Sequence, residues 1–137
     1  MAKKNPQRMG KNFAINMLVL DTNILIYESA GDPKIAAFLD MHSNDIVYIP
    51  TVVALEFLSY PLITQVSEEK FKNFLKQTVI VSLDLLIAET AAQLKRNYKL
   101  KLADTVVAAS ALITGASLVT RNTRDFKKIK NLKLIEI

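Results

Sequence analysis

Four carboxylates stand where an acid invites a chemical explanation. Asp21 follows directly on the apolar run Met17-Leu18-Val19-Leu20 and is itself followed by Thr22 and Asn23. Glu56 is the only charge between Val52 and Tyr60. An unpaired carboxylate on a buried helix face is costly or takes up a proton. Glu56 therefore calls for a cation, a basic partner or a cleft, unless it occupies the one exposed stripe of its helix. Asp104 precedes the small-residue run Thr105 to Ala111, and Asp125 lies in Thr120-Arg121-Asn122-Thr123-Arg124-Asp125-Phe126. Oxygen donors of this kind select hard cations such as Mg²⁺ or Mn²⁺, which keep part of their water. Such an ion lowers the pKa of water and offsets charge on a phosphodiester during in-line displacement, so no covalent nucleophile is required. Cys is absent and His42 is the sole histidine, which excludes thiolate metal sites, Cys nucleophiles and a His-rich zinc cluster.

Each of these residues also has an ordinary explanation. Asp before a helix is a preferred cap, which accounts equally well for Asp21 and Asp104. Asn122 or Asp125 could reach a cation, and Arg121 or Arg124 a phosphate, but all four also suit a solvated loop. His42 reads as a surface or helix-end residue. Tyr27, Tyr60 and the Phe residues lie within apolar runs rather than among basic ones, which favours packing over base stacking.

Alternating elements must position these groups. Met17–Leu20 reads as a strand buried on both faces, and Asp21-Thr22-Asn23 as the start of a helix. Gly31-Asp32-Pro33 makes a turn into a helix over about 33–42. Ile46–Ile49 is a second strand, after which Thr51 caps a helix over about 52–63 that is buried round most of its circumference. Ser67 starts another helix. Val79–Leu83 is a third strand, and Asp84 caps a helix to about Tyr98. A helix opening at Asp104 stops at Gly115. Ser117–Thr120 and Leu132–Ile135 are the fourth and fifth strands. Strands alternating with helices predict a three-layer α/β/α sandwich around a parallel sheet of about five strands. Ligands bind outside the carboxyl ends of such strands, which places Asp21, Thr51 and the segment after Thr120 on one rim.

With 137 residues, half of them hydrophobic, the chain has material for one domain, read as residues 17–137 behind a flexible basic extension at 1–16. The net charge of +5 is unevenly spread. Lys3, Lys4, Arg8 and Lys11 lie in the extension, residues 17–94 are acidic, and residues 95–133 are basic apart from Asp104 and Asp125. An acidic part beside a basic one suits a polyanion held next to a cation site. No segment has the ~20 apolar residues of a membrane span. No secretory signal is evident, and the lack of Cys fits a reducing cytoplasm. Other Asp chemistries fit poorly. An aspartyl-nucleophile phosphatase wants an acid at position 23, which is Asn, and no Gly-rich phosphate loop is present.

The chain resembles the PIN domain family, particularly its VapC-like toxins. The matching pieces are Leu20-Asp21-Thr22-Asn23, Ala54-Leu55-Glu56-Phe57, Ala103-Asp104 leading Val106-Val107-Ala108-Ala109, and Val119-Thr120-Arg121-Asn122 with Asp125-Phe126. They occur in family order and span about residues 17–137. The resemblance implies a Mg²⁺- or Mn²⁺-dependent endoribonuclease. It implies Asp21, Glu56 and Asp104 as metal-binding acids, with Thr22 and Asn23 supporting Asp21. Relatives often carry a fourth acid just after the fourth strand. Asn122 occupies that position here, so Asp125 is expected to supply the charge, with Thr120 and Asn122 in support. A homodimer and a protein antitoxin whose tail reaches the acidic pocket are implied partners. The competing expectations are a non-catalytic module of the same fold that binds RNA or protein, and a DNA nuclease or phosphatase using the same metal site.

Overall fold

The structure, a computed structural model, describes residues 14–137. The expectation of a flexible extension falls almost wholly on residues outside that range. The described chain runs β1 (Met17–Leu20), α1 (Thr22–Ser29), α2 (Pro33–Met41), β2 (Ile46–Pro50), α3 (Thr51–Leu58), α4 (Gln65–Leu75), β3 (Val79–Val81), α5 (Leu85–Asn97), α6 (Leu102–Thr114), β4 (Ser117–Thr120), α7 (Thr123–Phe126) and β5 (Leu134–Glu136).

All strand pairings are parallel, in the order β3-β2-β1-β4-β5. Helices cover both faces of this sheet in the expected α/β/α sandwich. Leu18, Val19 and Leu20 of β1 and Leu118, Val119 and Thr120 of β4 are buried, as suits central strands covered on both sides. The edge strand β3 exposes Val79 and Ile80. After β1 the chain moves outward through β2 and β3, then returns to β4 on the other side of β1. The carboxyl ends of β1 and β4 thus flank a topological switch point, where open parallel sheets place their ligands.

Helix α6 lies deepest. Every residue from Thr105 to Ala111 is buried, and the helix packs on β1, β2 and β4. Its Ala and Ser side chains let the backbone come close to the sheet, and Ser110 satisfies its hydroxyl by donating to the carbonyl of Val106. Gly115 ends the helix at φ 75°, a left-handed conformation that favours glycine.

Several boundaries differ from expectation for local reasons. Helix α3 ends at Leu58, not near residue 63, because the residue before Pro61 is pushed out of the helical region. Thr51 is its first residue rather than its cap, and the Thr51 hydroxyl accepts from the Leu83 amide at 3.3 Å instead. Only Val53 and Phe57 of α3 are buried, whereas Leu55 is 66% exposed, so the helix is far less covered than its apolarity suggests. Thr64, not Ser67, caps α4 by accepting from the Ser67 amide. Strand β3 is shorter than expected, β5 begins later, and the segment after β4 forms the short α7. Among the described residues no helix is long and apolar enough to cross a membrane.

Candidate active site

The sheet rim brings β1, β4, α1, α3, α6 and α7 together around the four acids. Asp21 leaves β1 beside β4, its amide donating to the Val119 carbonyl at 3.0 Å. Its side chain caps α1 and belongs to the site at once, because each carboxylate oxygen has its own work. Oδ1 accepts from the Thr22 amide at 2.8 Å. Oδ2 accepts from the Thr120 hydroxyl at 2.8 Å and from Asn23 Nδ2 at 3.3 Å. Thr120, fully buried, is the hub of this corner, since its oxygen also accepts from the Asn122 amide at 2.9 Å and from Asn23 Nδ2.

Glu56 is an exposed residue, but its side chain reaches back to the rim, where Oε1 accepts from the Thr22 hydroxyl at 2.6 Å. Asp104 lies in the first turn of α6, two residues inside its start at Leu102, so it is not the cap that sequence also allowed. Its carboxylate accepts no hydrogen bond among the described residues. Asp125, half-buried, accepts from Asn122 Nδ2 at 3.0 Å.

Electrostatics tie the four acids into one site. Burial pushes the Asp104 carboxyl up to about 6, and repulsion from Asp21, Glu56 and Asp125 adds to the rise, with Lys101 alone pulling the other way. Burial also raises Asp21, assisted by Glu56 and opposed by the hydrogen bonds from Thr120 and the Thr22 amide. Carboxylates that feel one another in a half-dry pocket hold protons unless positive charge arrives. Among the described residues, no three Asp, Glu or His side chains are already gathered at metal-holding distance. The arrangement is three acids that accept hydrogen bonds, Asp21, Glu56 and Asp125, with Asp104 unrestrained beside them.

The two arginines have different fates. Arg121 is already engaged: Nη1 lies 2.7 Å from Asp32 Oδ2, the guanidinium sits 4.5 Å above the Tyr27 ring, and Nε donates to the Ile137 carbonyl. Tyr27, expected as a packing residue, is 43% exposed and serves as the platform for this cation. Arg124 is exposed on α7. His42 is the helix-end residue that sequence suggested, with Nδ1 2.6 Å from Asp45 Oδ2. Sequence reasoning passed over Lys101. The signal was a cation one helical turn before an acid at a helix start.

The PIN domain family model matches residues 18–132, which contain every one of these acids. The chain belongs to the PIN domain family. That family is in general one of nucleases that use divalent metals. A toxin–antitoxin complex from Klebsiella pneumoniae contains a chain 27% identical to this one, with a TM-score of 0.74 over 88% of this chain and 99% of that one. VapBC2 from Rickettsia felis, bound to a promoter DNA fragment, gives 23% identity and a TM-score of 0.75 over 88% and 98%. DNA-bound VapBC from Salmonella typhimurium gives 18% and 0.75 over 89% and 98%. No curated protein matches the chain in sequence. The PIN-domain and VapC-like resemblance drawn from four short motifs therefore holds.

Proposed function

We propose that this PIN domain is a Mg²⁺- or Mn²⁺-dependent endoribonuclease and the toxin of a toxin–antitoxin pair. The observation that carries the reading is the mutual field of Asp21, Glu56, Asp104 and Asp125, strong enough to help lift Asp104 to about 6. The donor set fits a hard dication: it is all oxygen and short of positive charge. Asp104, held by no hydrogen bond, is free to turn toward an ion. Asp21, Glu56, Asp104 and Asp125 would hold the ion, which when bound supplies Lewis-acid charge that acidifies water and offsets charge on a phosphodiester. Thr22 positions Glu56, Thr120 and Asn23 position Asp21, and Asn122 positions Asp125. Arg124 meets substrate phosphate. The same role for Arg121 requires exchange of its Asp32 partner for phosphate.

The VapBC and toxin–antitoxin complexes in which the structural neighbours occur support an antitoxin here. A groove of about 790 Å³ between α1, α2 and α4, where Glu28, Asp40, Lys70 and Asn73 rim the buried Phe71 and Phe74, offers a seat of mixed polarity for such a partner. Exposed Leu55, Leu58, Leu85, Leu86 and Leu102 suit a homodimer contact. We place the protein in the cytoplasm, where RNA and a reducing milieu meet.

The purified chain is expected to cleave single-stranded or structured RNA with Mn²⁺, to stop on adding EDTA, and to lose activity in a folded Asp21→Asn variant. Cleavage that persists through EDTA and that substitution would overturn the assignment. One observation favours a second reading, a non-catalytic RNA-binding module: no three acids are preassembled at ligand distance among the described residues. Stoichiometric RNA binding without cleavage, and no Mn²⁺ uptake at millimolar concentration, would establish it.

A further inference from the structure

Lys101 breaks a local rule. It occupies the cap position of α6, where its side chain makes no capping hydrogen bond, and it puts positive charge at the positive end of the helix dipole. Its ammonium makes no hydrogen bond or ion pair among the described residues, although Asp104 follows one turn later. A residue that works against its own helix and acts on its neighbour Asp104 only through its field, without a hydrogen bond or ion pair, marks a place to look for function.

The supply of cations around the site narrows the choice. Helices α1, α3 and α6 contain no Lys or Arg, so three of the elements that carry the acids bring no positive charge of their own. Arg121 is engaged by Asp32, Tyr27 and the Ile137 carbonyl. Arg124 on α7 and Lys101 at the start of α6 are both exposed and make no ion pair among the described residues, and of the two only Lys101 acts on Asp104 through its charge. A polyanion approaching four carboxylates is repelled, and even a bound dication leaves the pocket with excess negative charge. A flexible cation beside Asp104 offsets that barrier for a phosphate entering along α6. A lysine suits this position because its ammonium is a mobile point charge.

We propose that Lys101 is a substrate-binding residue that pairs with a phosphate of the RNA beside Asp104, an assignment that rests on the ribonuclease reading above. Its contribution is to RNA affinity and not to ion binding, since a nearby cation opposes a dication.

The test uses the full chain and a fluorescein-labelled single-stranded RNA oligonucleotide. Binding is measured by anisotropy in Ca²⁺ across a series of salt concentrations, with the RNA shown to be intact by gel. Each phosphate neutralised on a single strand contributes about 0.7 to the salt slope, so Lys101→Gln is expected to weaken binding roughly fivefold at about 0.1 M monovalent salt and to lower the slope by about 0.7. Lys101→Arg restores both. Lys76→Gln, just after α4 at the opposite end of the strands, leaves both unchanged. Mn²⁺ affinity of Lys101→Gln, measured by calorimetry, stays equal or becomes tighter. Wild-type affinity and slope in Lys101→Gln would overturn the proposal, and so would a parallel loss of Mn²⁺ affinity, which would mark a structural role. If wild-type protein neither binds nor cleaves RNA, the ribonuclease reading itself falls and this assignment falls with it.

Discussion

Asp104→Asn should stabilise the metal-free protein while damaging its site. The folded carboxyl titrates at about 6 against an ordinary 3.8. A raised acid pKa means that the folded state binds the proton more tightly than the unfolded one. The stability tied to that proton is complete below about pH 4 and is lost as pH rises through about 6. The gap corresponds to about 3 kcal/mol as an upper bound. Asp104 is only half-buried, and solvent screening reduces this to roughly 1–2 kcal/mol. Asparagine is nearly isosteric and carries no charge. At about pH 7.5 in EDTA the variant should melt roughly 3–8 °C above wild type. The advantage should shrink toward zero as the buffer approaches about pH 4, where wild-type Asp104 is itself neutral. With Mn²⁺ present the order should reverse, because an ion that binds the folded state raises wild-type stability by mass action and the variant has lost a ligand. Thermal melts in EDTA and in Mn²⁺ across that pH range make the comparison. A variant that melts below wild type in EDTA near neutral pH, or a gain that ignores pH, would show that Asp104 is not the strained acid described here.

Thr120→Val keeps the shape of a buried side chain but removes the hydroxyl that donates to Asp21 and accepts from Asn23 and the Asn122 amide. It should cost about 1–3 kcal/mol in urea unfolding at neutral pH, and an equal or greater stability than wild type would refute the hub. The Arg121 guanidinium holds the Asp32 carboxyl below the usual carboxylate range, with the Lys34 and Ile35 amides assisting and desolvation opposing. A lowered acid pKa gives stability that is lost as pH falls through the folded value, so Arg121→Gln should move the Asp32 titration upward by NMR and make the protein less sensitive to mild acid. An unmoved Asp32 titration would disprove the pairing.

Much of this was legible because the central strands leave so plain a trace. Met17–Leu20 and Ser117–Thr120 are short apolar runs that meet helices on both faces, and both were placed to the residue. Helix ends were harder. Pro61 was visible, but the apolar residues on either side of it suggested a longer α3 than its ring allows. The exposure of Leu55 and Leu58 was not readable at all, because periodicity reports an apolar face and says nothing of what covers it. In the site, capping and chemistry were posed as alternatives for Asp21, whereas its two oxygens let it cap α1 and hold a place on the rim at the same time. Arg121 looked like a phosphate ligand because its partners, Asp32 and Tyr27, reach it only through the fold.

The contrast between Asp21 and Asp104 explains how such a pocket can be stable and still demand positive charge. Asp21 is buried, yet three donors hold its charge in place, one of them the start of a helix. Those bonds favour the ionised form and offset part of the burial penalty. Asp104 has no such donors, so desolvation and the neighbouring acids act on it with only Lys101 in opposition. The fixed acid defines where a cation would sit. The loose one supplies the electrostatic demand for it. The α6 sequence makes this affordable: the buried residues from Thr105 onward anchor the helix, and their packing offsets the electrostatic cost of Asp104 in its first turn. A pocket made only of fixed acids would need every donor in place before any ion arrived. A pocket made only of loose ones would lie mostly protonated and without a defined position.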